Sequence, residues 1–218
     1  NLSKFSNNEG SEMKNFFSRL FDRKIETDKI ITIVSGLPRS GTSLMMSMLA
    51  AGGLEVMTDN LREADNDNPA GYYEFEEVKS LVNGEYSWIT NSGGKVVKVI
   101  STLLPYLPDG YGYRIVFMRR AMKEVLASQR KMLINRGQDP DKVSDDQIAE
   151  VFEKNLRQVE RWIETQPNTT RIDINYNRLM ENPEPLVAQI NKFLGGNLNE
   201  EMMLGVIDPN LYRQRYQK

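Results

Sequence analysis

Eight consecutive residues, Gly36-Leu37-Pro38-Arg39-Ser40-Gly41-Thr42-Ser43, have the types and spacing of an anion-binding loop. Two glycines bracket it, so the backbone can approach a ligand closely, and unpaired N–H groups at the start of the following helix point at negative charge. The spacing follows G-x-x-x-x-G-K-[ST] at every fixed position but one. Thr42 stands where a lysine would reach the β- and γ-phosphates of a nucleoside triphosphate. The loop suits phosphate, and the cation that would make it triphosphate-specific is missing.

Further charge gathers at the ends of two other apolar runs. Val96 to Ile100 carries Lys98 and is followed by Ser101 and Thr102; Tyr113 to Met118 ends in Arg119-Arg120. Each cation taken singly is ordinary surface charge. Beside a phosphate loop, two or three of them at one sheet edge make a site for a polyanion. The chain has no His and no Cys, which excludes imidazole bases, His-based triads, disulfides and thiolate metal sites. The chemistry must then use carboxylates, Lys, Arg, Ser, Thr or Tyr, and the carboxylates are the candidates for a general base. Asp59, Glu63, Asp65 and Asp67 lie in one acidic loop, most of which reads as simply solvated. Glu74 follows in Gly71-Tyr72-Tyr73-Glu74-Phe75, between aromatics that would partly desolvate it. Glu74 is the first choice, with Asp59 and Glu63 next.

These groups need a scaffold. With 218 residues, 39% of them hydrophobic and 27% charged, the chain is large enough for one domain with a full core. Ile30 to Val34 is a β-branched run of the kind buried in parallel sheets, and Thr42 to Leu49 reads as the helix after the loop. Leu54 to Met57 is a candidate short strand; Val96 to Ile100, Tyr113 to Met118 and Arg171 to Ile174 are clearer ones. Helices are expected from Glu76, over Lys123 to Ile134, over Ser144 to Glu164 and over Glu184 to Leu194, with a broken segment at Leu103 to Pro108. Ile148, Val151, Phe152, Leu156, Val159 and Ile163 share one face of the long helix. Strands alternating with helices imply an α/β fold, three layers with a central parallel sheet, and ligands bind such sheets beyond the carboxyl ends of the strands. Residues 1–24 divide off as a flexible polar segment plus a short amphipathic helix (Phe16, Phe17, Leu20, Phe21), either packed on the domain or anchoring it to a membrane or partner; 25–218 form the domain.

A net charge of -2 argues against a general nucleic-acid binder. No run approaches the ~20 apolar residues of a membrane span. The cysteine-free composition fits a reducing compartment, and the chain reads as cytoplasmic. It lacks a charged-then-apolar leader pattern and does not begin with Met, as expected of a fragment or of a chain carrying a tag remnant.

Three segments in order resemble the sulfotransferases that use 3′-phosphoadenosine 5′-phosphosulfate (PAPS), over Ile31 to Leu194. Leu37-Pro38-Arg39-Ser40-Gly41-Thr42-Ser43 is similar to that family's 5′-phosphosulfate loop, P-[KR]-[ST]-G-T-[ST]. There the basic residue, here Arg39, does the work of the absent lysine. Val116-Phe117-Met118-Arg119-Arg120, with Ser128 eight positions on, resembles the 3′-phosphate motif. Tyr176-Asn177-Arg178-Leu179-Met180-Glu181-Asn182-Pro183 resembles the family's Y-x-x-L/M-x-x-x-P segment near the adenine, and Asn68-Pro69-Ala70-Gly71-Tyr72-Tyr73-Glu74 resembles a stretch in bacterial members. The family's usual Arg-[DN]-Pro reads Arg120-Ala121-Met122 here. Its C-terminal Arg-Lys-Gly is absent, with Arg213 and Arg215 as substitutes, and Lys98 is nearest to the lysine of its Lys-Thr-His.

The resemblance implies PAPS as cofactor, 3′,5′-adenosine bisphosphate as product, and no metal. Sulfuryl transfer follows the logic of phosphoryl transfer: in-line displacement onto an acceptor hydroxyl or amine, with charge growing on the leaving oxygen. Gly36, Pro38, Arg39 and the amides from Ser40 through Gly41 and Thr42 to Ser43 would hold the 5′-phosphosulfate. Lys98 would stabilise the bridging oxygen, and Arg120 and Ser128 would read the 3′-phosphate. A P-loop kinase-like phosphotransferase is the rival enzyme, though it needs lysine at Thr42 and an acidic magnesium ligand at another strand end. A non-catalytic nucleotide-binding module is the rival from another class. Small-molecule, lipid, carbohydrate and peptide acceptors all remain open.

Overall fold

A computed structural model describes residues 30–59, 61 and 71–208. The expected N-terminal segment, its amphipathic helix, Glu63, Asp65, Asp67, Arg213 and Arg215 lie outside the described residues. Five parallel strands form one sheet: β1 (Ile30–Gly36), β2 (Val56–Met57), β3 (Val96–Lys98), β4 (Gly112–Arg119) and β5 (Thr169–Asn175), in the order β2-β3-β1-β4-β5. β1 is central, with Val34 opposite Lys98 on one side and Gly36 opposite Met118 on the other. The chain leaves β1 at the point where strand order reverses, the position at which open α/β sheets bind ligands.

The strands are buried on both faces, and period-two alternation still sorts their side chains. Ile31 and Ile33 of β1 and Ile115 and Phe117 of β4 enter one core with Val97, Val99, Trp88 and Val159. Val34, Val116 and Met118 enter the other, against Met45, Met46, Met48 and Leu49 of α1 (Thr42–Ala51). The remaining helices are α2 (Met122–Asn135), α3 (Asp145–Thr165), α4 (Tyr176–Glu181), α5 (Pro183–Leu194) and α6 (Glu200–Gly205). Two cores separated by a parallel sheet make this the expected three-layer α/β/α architecture, of the P-loop NTPase-like type.

The departures have local causes. The segment from Glu76 is a 3₁₀ helix, Glu76–Asn83, stopped by Gly84 at φ 75°; the broken segment is a 3₁₀ turn, Ser101–Tyr106, with Pro105 inside it. α4 and α6 are too short to show an apolar period. Each starts on an asparagine whose side-chain oxygen accepts an N–H of the first turn, Asn175 from Arg178 and Asn199 from Met202, both at 3.0 Å. On α3, Ser144 and Gln147 form a capping box. Val151 does not belong to the buried stripe; it is 64% exposed, and burial begins at Asn155 and Val159. Asn155 accepts a 2.6 Å hydrogen bond from buried Ser101, tying α3 to the end of β3.

Candidate active site

The loop between β1 and α1 is built around backbone conformations that L side chains rarely adopt. Gly36 has φ 151° and Gly41 φ 99°. A Cβ on Gly36 would lie 2.6 Å from Ser40 Oγ and 2.8 Å from the Met118 carbonyl oxygen; one on Gly41 would lie 2.3 Å from Tyr176 Cδ2. Arg39 also takes positive φ, 67°, turning its side chain across the loop while Pro38 is exposed. Buried Ser40 closes the turn, its amide and hydroxyl both donating to the Leu37 carbonyl. Gly41 is the N-cap of α1 and brings no side-chain cap. The first-turn N–H groups around Thr42 and Ser43 thus face outward with the positive end of the helix dipole.

Cations stand on both flanks of this loop because β3 and β4 flank β1. On the β3 side Lys98, 8% exposed in its side chain, donates to the Tyr72 carbonyl and, at 3.4 Å, to Ser43 Oγ. Glu74 Oε1 lies 3.9 Å from Lys98 Nζ, and the Glu74 side chain is 30% exposed. Tyr73, at φ 51°, donates from its hydroxyl to Ser47 of α1 at 3.3 Å, which fixes the segment carrying Glu74 over α1. The Glu74 carbonyl accepts from Thr58 Oγ1 and the Asp59 amide. Asp59 is engaged differently: its two oxygens accept the Glu76 amide at 2.6 Å and the Leu61 amide at 3.0 Å. Those amides, Glu76 first, hold its carboxyl below the usual carboxylate range.

On the β4 side the paired arginines part company. Arg119 lies over the Phe117 ring and pairs with Glu160 at 2.7 Å and Asp173 at 2.9 Å, so this cation serves the sheet edge. Arg120 turns to the loop. Its Nη1 donates to the Arg39 carbonyl at 3.1 Å, its Nε to Glu124 Oε2 at 3.0 Å, and its guanidinium lies 4.4 Å above the Tyr176 ring. Buried Ser128 accepts from Arg39 Nε at 2.9 Å. Burial pushes the Tyr176 phenol up, opposed in part by Arg120 beside it. Gly36, Pro38, Arg39, Ser40, Gly41, Thr42, Ser43, Arg120, Ser128 and Tyr176 thus converge on one loop from three strand ends, and Lys98 and Glu74 meet on its other flank.

The aromatic segment divides. Tyr72 is buried, and Phe75 and Trp88 stack edge-on at 5.8 Å within the core, so they support the site rather than line it. The sequence reading passed over Glu124, Asn177 and Ser47, which hold Arg120 and Tyr73 in place. Only the i,i+4 spacing of Arg120 and Glu124 was a legible signal.

The family model described as sulfotransferase domain matches residues 29–211. Among solved structures, a sulfotransferase domain from the curacin biosynthetic pathway is 17% identical (TM-score 0.47), with 79% of this chain and 76% of that one covered. One from the Synechococcus PCC 7002 olefin synthase is 16% identical (TM-score 0.49; 88% and 85%). Retinol dehydratase in complex with androsterone and inactive cofactor PAP is 15% identical (TM-score 0.45; 83% and 64%). The search of curated proteins returns no match. Since the matched region runs from β1 beyond α6 and contains the loop, Glu74, Lys98, Arg120, Ser128 and Tyr176, the chain belongs to the sulfotransferase family, enzymes of sulfuryl transfer.

Proposed function

We propose that this enzyme moves a sulfuryl group from PAPS to an acceptor hydroxyl, with the 3′-phosphate held on the Arg120 flank and the 5′-phosphosulfate on the loop and Lys98. One observation carries the reading: two cationic poles, Arg120 after β4 and Lys98 in β3, stand on opposite sides of a single anion loop. A ligand with two separate anionic ends fits that spacing better than one with a single polyphosphate tail. Outward N–H groups, a positive helix end and cations on both sides form a donor set of the right chemistry for it.

PAPS supplies an activated sulfur bonded to a phosphate oxygen that leaves as an anion. The residues do the rest. Amides from Gly41 to Ser43 hold the 5′ end, whereas the expected Ser40 amide is engaged by the Leu37 carbonyl inside the turn; Lys98 neutralises charge at the bridging oxygen as the S–O bond breaks. Glu74 takes the proton of the acceptor hydroxyl as its oxygen bonds to sulfur. Asp59 is the weaker candidate, since two amide bonds occupy its oxygens and lower its basicity. Glu74→Gln is expected to cut kcat by about 10²–10⁴-fold with little change in KM for PAPS; a kcat within threefold of the parent would, on the same scale, return the role to Asp59 or Glu63.

The nucleotide is tested by calorimetric titration with 3′,5′-adenosine bisphosphate, AMP, and ATP with Mg²⁺. The bisphosphate is expected to bind best, and Arg120→Ala to weaken it by about 10²-fold while AMP changes little. A preference for ATP with Mg²⁺ would sink the proposal in favour of the phosphotransferase. A bisphosphate complex that sulfates nothing in a broad acceptor screen would favour the binding module.

Ile100 supports an acceptor with an apolar body. It follows Lys98 by two residues on extended backbone, which puts it on the same side of the chain, and it is 41% exposed. Lipid and phenolic alcohols are expected to give higher kcat/KM than sugars, and the reverse ranking refutes this part. Among the described residues no helix is long and apolar enough to cross a membrane. The cysteine-free composition supports the cytoplasm, and the Asn68-to-Glu74 stretch a bacterial source; fractionation of cells expressing the chain checks the first.

A further inference from the structure

Arg120 does not stand alone. Its side chain is 8% exposed and that of Glu124 is 3% exposed. A buried ion pair is poor evidence of stabilisation, because packed apolar residues of similar volume often do as well. What distinguishes this one is the third member. Asn177 Nδ2 donates to Glu124 Oε1 at 2.8 Å while Arg120 Nε donates to Glu124 Oε2, so both carboxylate oxygens are engaged and the carboxylate plane is fixed. The other end of the same amide, Asn177 Oδ1, accepts from the Ala121 amide at 3.4 Å. Ala121 is the N-cap of α2 and has no capping side chain.

One asparagine on α4 therefore grips α2 at two points, the backbone of its N-cap and a carboxylate in its first turn. Tyr176, its neighbour in sequence, supplies the ring beneath the Arg120 guanidinium. The guanidinium is held at its edge by Glu124, at its face by Tyr176 and at Nη1 by the Arg39 carbonyl of the phosphate loop.

We propose that Asn177, acting through Glu124, is the positioning residue of the 3′-phosphate arginine, and that discrimination for the 3′-phosphate depends on this relay. The inference rests on the reading that Arg120 contacts that phosphate. Asn177 touches neither the nucleotide nor the reacting atoms; its effect passes through the orientation of a fork-shaped donor, for which small angular errors matter.

Asn177→Ala makes the cleanest test, because no charge changes. Glu124→Gln both loosens the arginine and removes a negative charge near the phosphate, and these oppose each other. The readout is the ratio of dissociation constants for AMP and 3′,5′-adenosine bisphosphate, two ligands that differ only in the 3′-phosphate. In Asn177→Ala this ratio is expected to fall about five- to tenfold, entirely through weaker bisphosphate binding, with KM for PAPS rising in step and kcat unchanged. Asn177→Asp, which sets a carboxylate against Glu124, is expected to lower it further.

Arg120→Ala in the same series separates the two levels of argument. If it lowers the ratio and Asn177→Ala does not, the relay is wrong and the 3′-phosphate reading stands. An unchanged ratio in Arg120→Ala overturns that reading and the relay with it. Equal weakening of both ligands in Asn177→Ala would make the residue merely structural and overturn the proposal. Should Asn177→Asp fail to fold, Asn177→Ala and Arg120→Ala suffice.

Discussion

Replacing Lys98 by Ala is expected to lower kcat by about 10²–10³-fold, the usual cost of losing one preorganised donor aimed at developing charge. The Kd for 3′,5′-adenosine bisphosphate should stay within about threefold, since its 3′ contacts lie on the other flank and loop amides carry the 5′ end. An ammonium group is rarely held at 8% exposure unless something compensates it, and here the compensation is a carbonyl, a hydroxyl and a carboxylate 3.9 Å away. Those partners hold the lysine aimed at the loop. Single-turnover rates beside steady-state kcat check that the lost step is chemistry. A variant that keeps its rate but binds the bisphosphate poorly would reassign Lys98 from the transfer step to nucleotide binding.

Gly41→Ala is expected to be the most damaging single methyl group in the loop. Its Cβ would arrive 2.3 Å from Tyr176 Cδ2 and 2.9 Å from Cε2, at a φ of 99°. Strain at such a position, together with overpacking, costs about 2–5 kcal/mol, which lowers Tm by roughly 5–15 °C in a domain of this size. Part of the strain can be relieved by moving the tyrosine, but Tyr176 is the ring under Arg120. Relief therefore displaces the arginine, and bisphosphate affinity should fall by about tenfold or more even where the protein still folds. Thermal melts with and without bisphosphate report both effects: a lower Tm, and a smaller ligand-induced rise. Parental values for both would mean that the loop relaxes away from Tyr176.

How much was legible follows from what each residue depends on. The strand-loop-helix unit is a local pattern: β-branched residues favour the strand, and glycines at fixed spacing allow the left-handed turns that expose amides. It could be read directly, as could the two other strand ends bearing Lys98 and Arg120. Elements without a period could not. α4 and α6 are defined by single asparagine caps, and the 3₁₀ segments by Gly84 and Pro105.

The carboxylates show the limit more sharply. In sequence, Asp59 and Glu74 are both acids near an aromatic loop. Only the fold brings the amides of Leu61 and Glu76 onto one and Lys98 beside the other. The two arginines divide for a similar reason. Adjacent residues at a strand end point to opposite sides, and which side meets the loop depends on the sheet order and on where Glu160, Asp173 and Glu124 arrive.

By itself, then, the sequence determined that this protein has a parallel α/β fold, an anion loop without a triphosphate lysine, and chemistry confined to carboxylates and cations. Those properties reside in residue types and short spacings. The tertiary structure decided which carboxylate faces the lysine, which arginine faces the loop, and that Asn177 and Glu124 orient it. Apart from the i,i+4 pair of Arg120 and Glu124, such contacts join residues 24 to 81 positions apart, and no local periodicity encodes them.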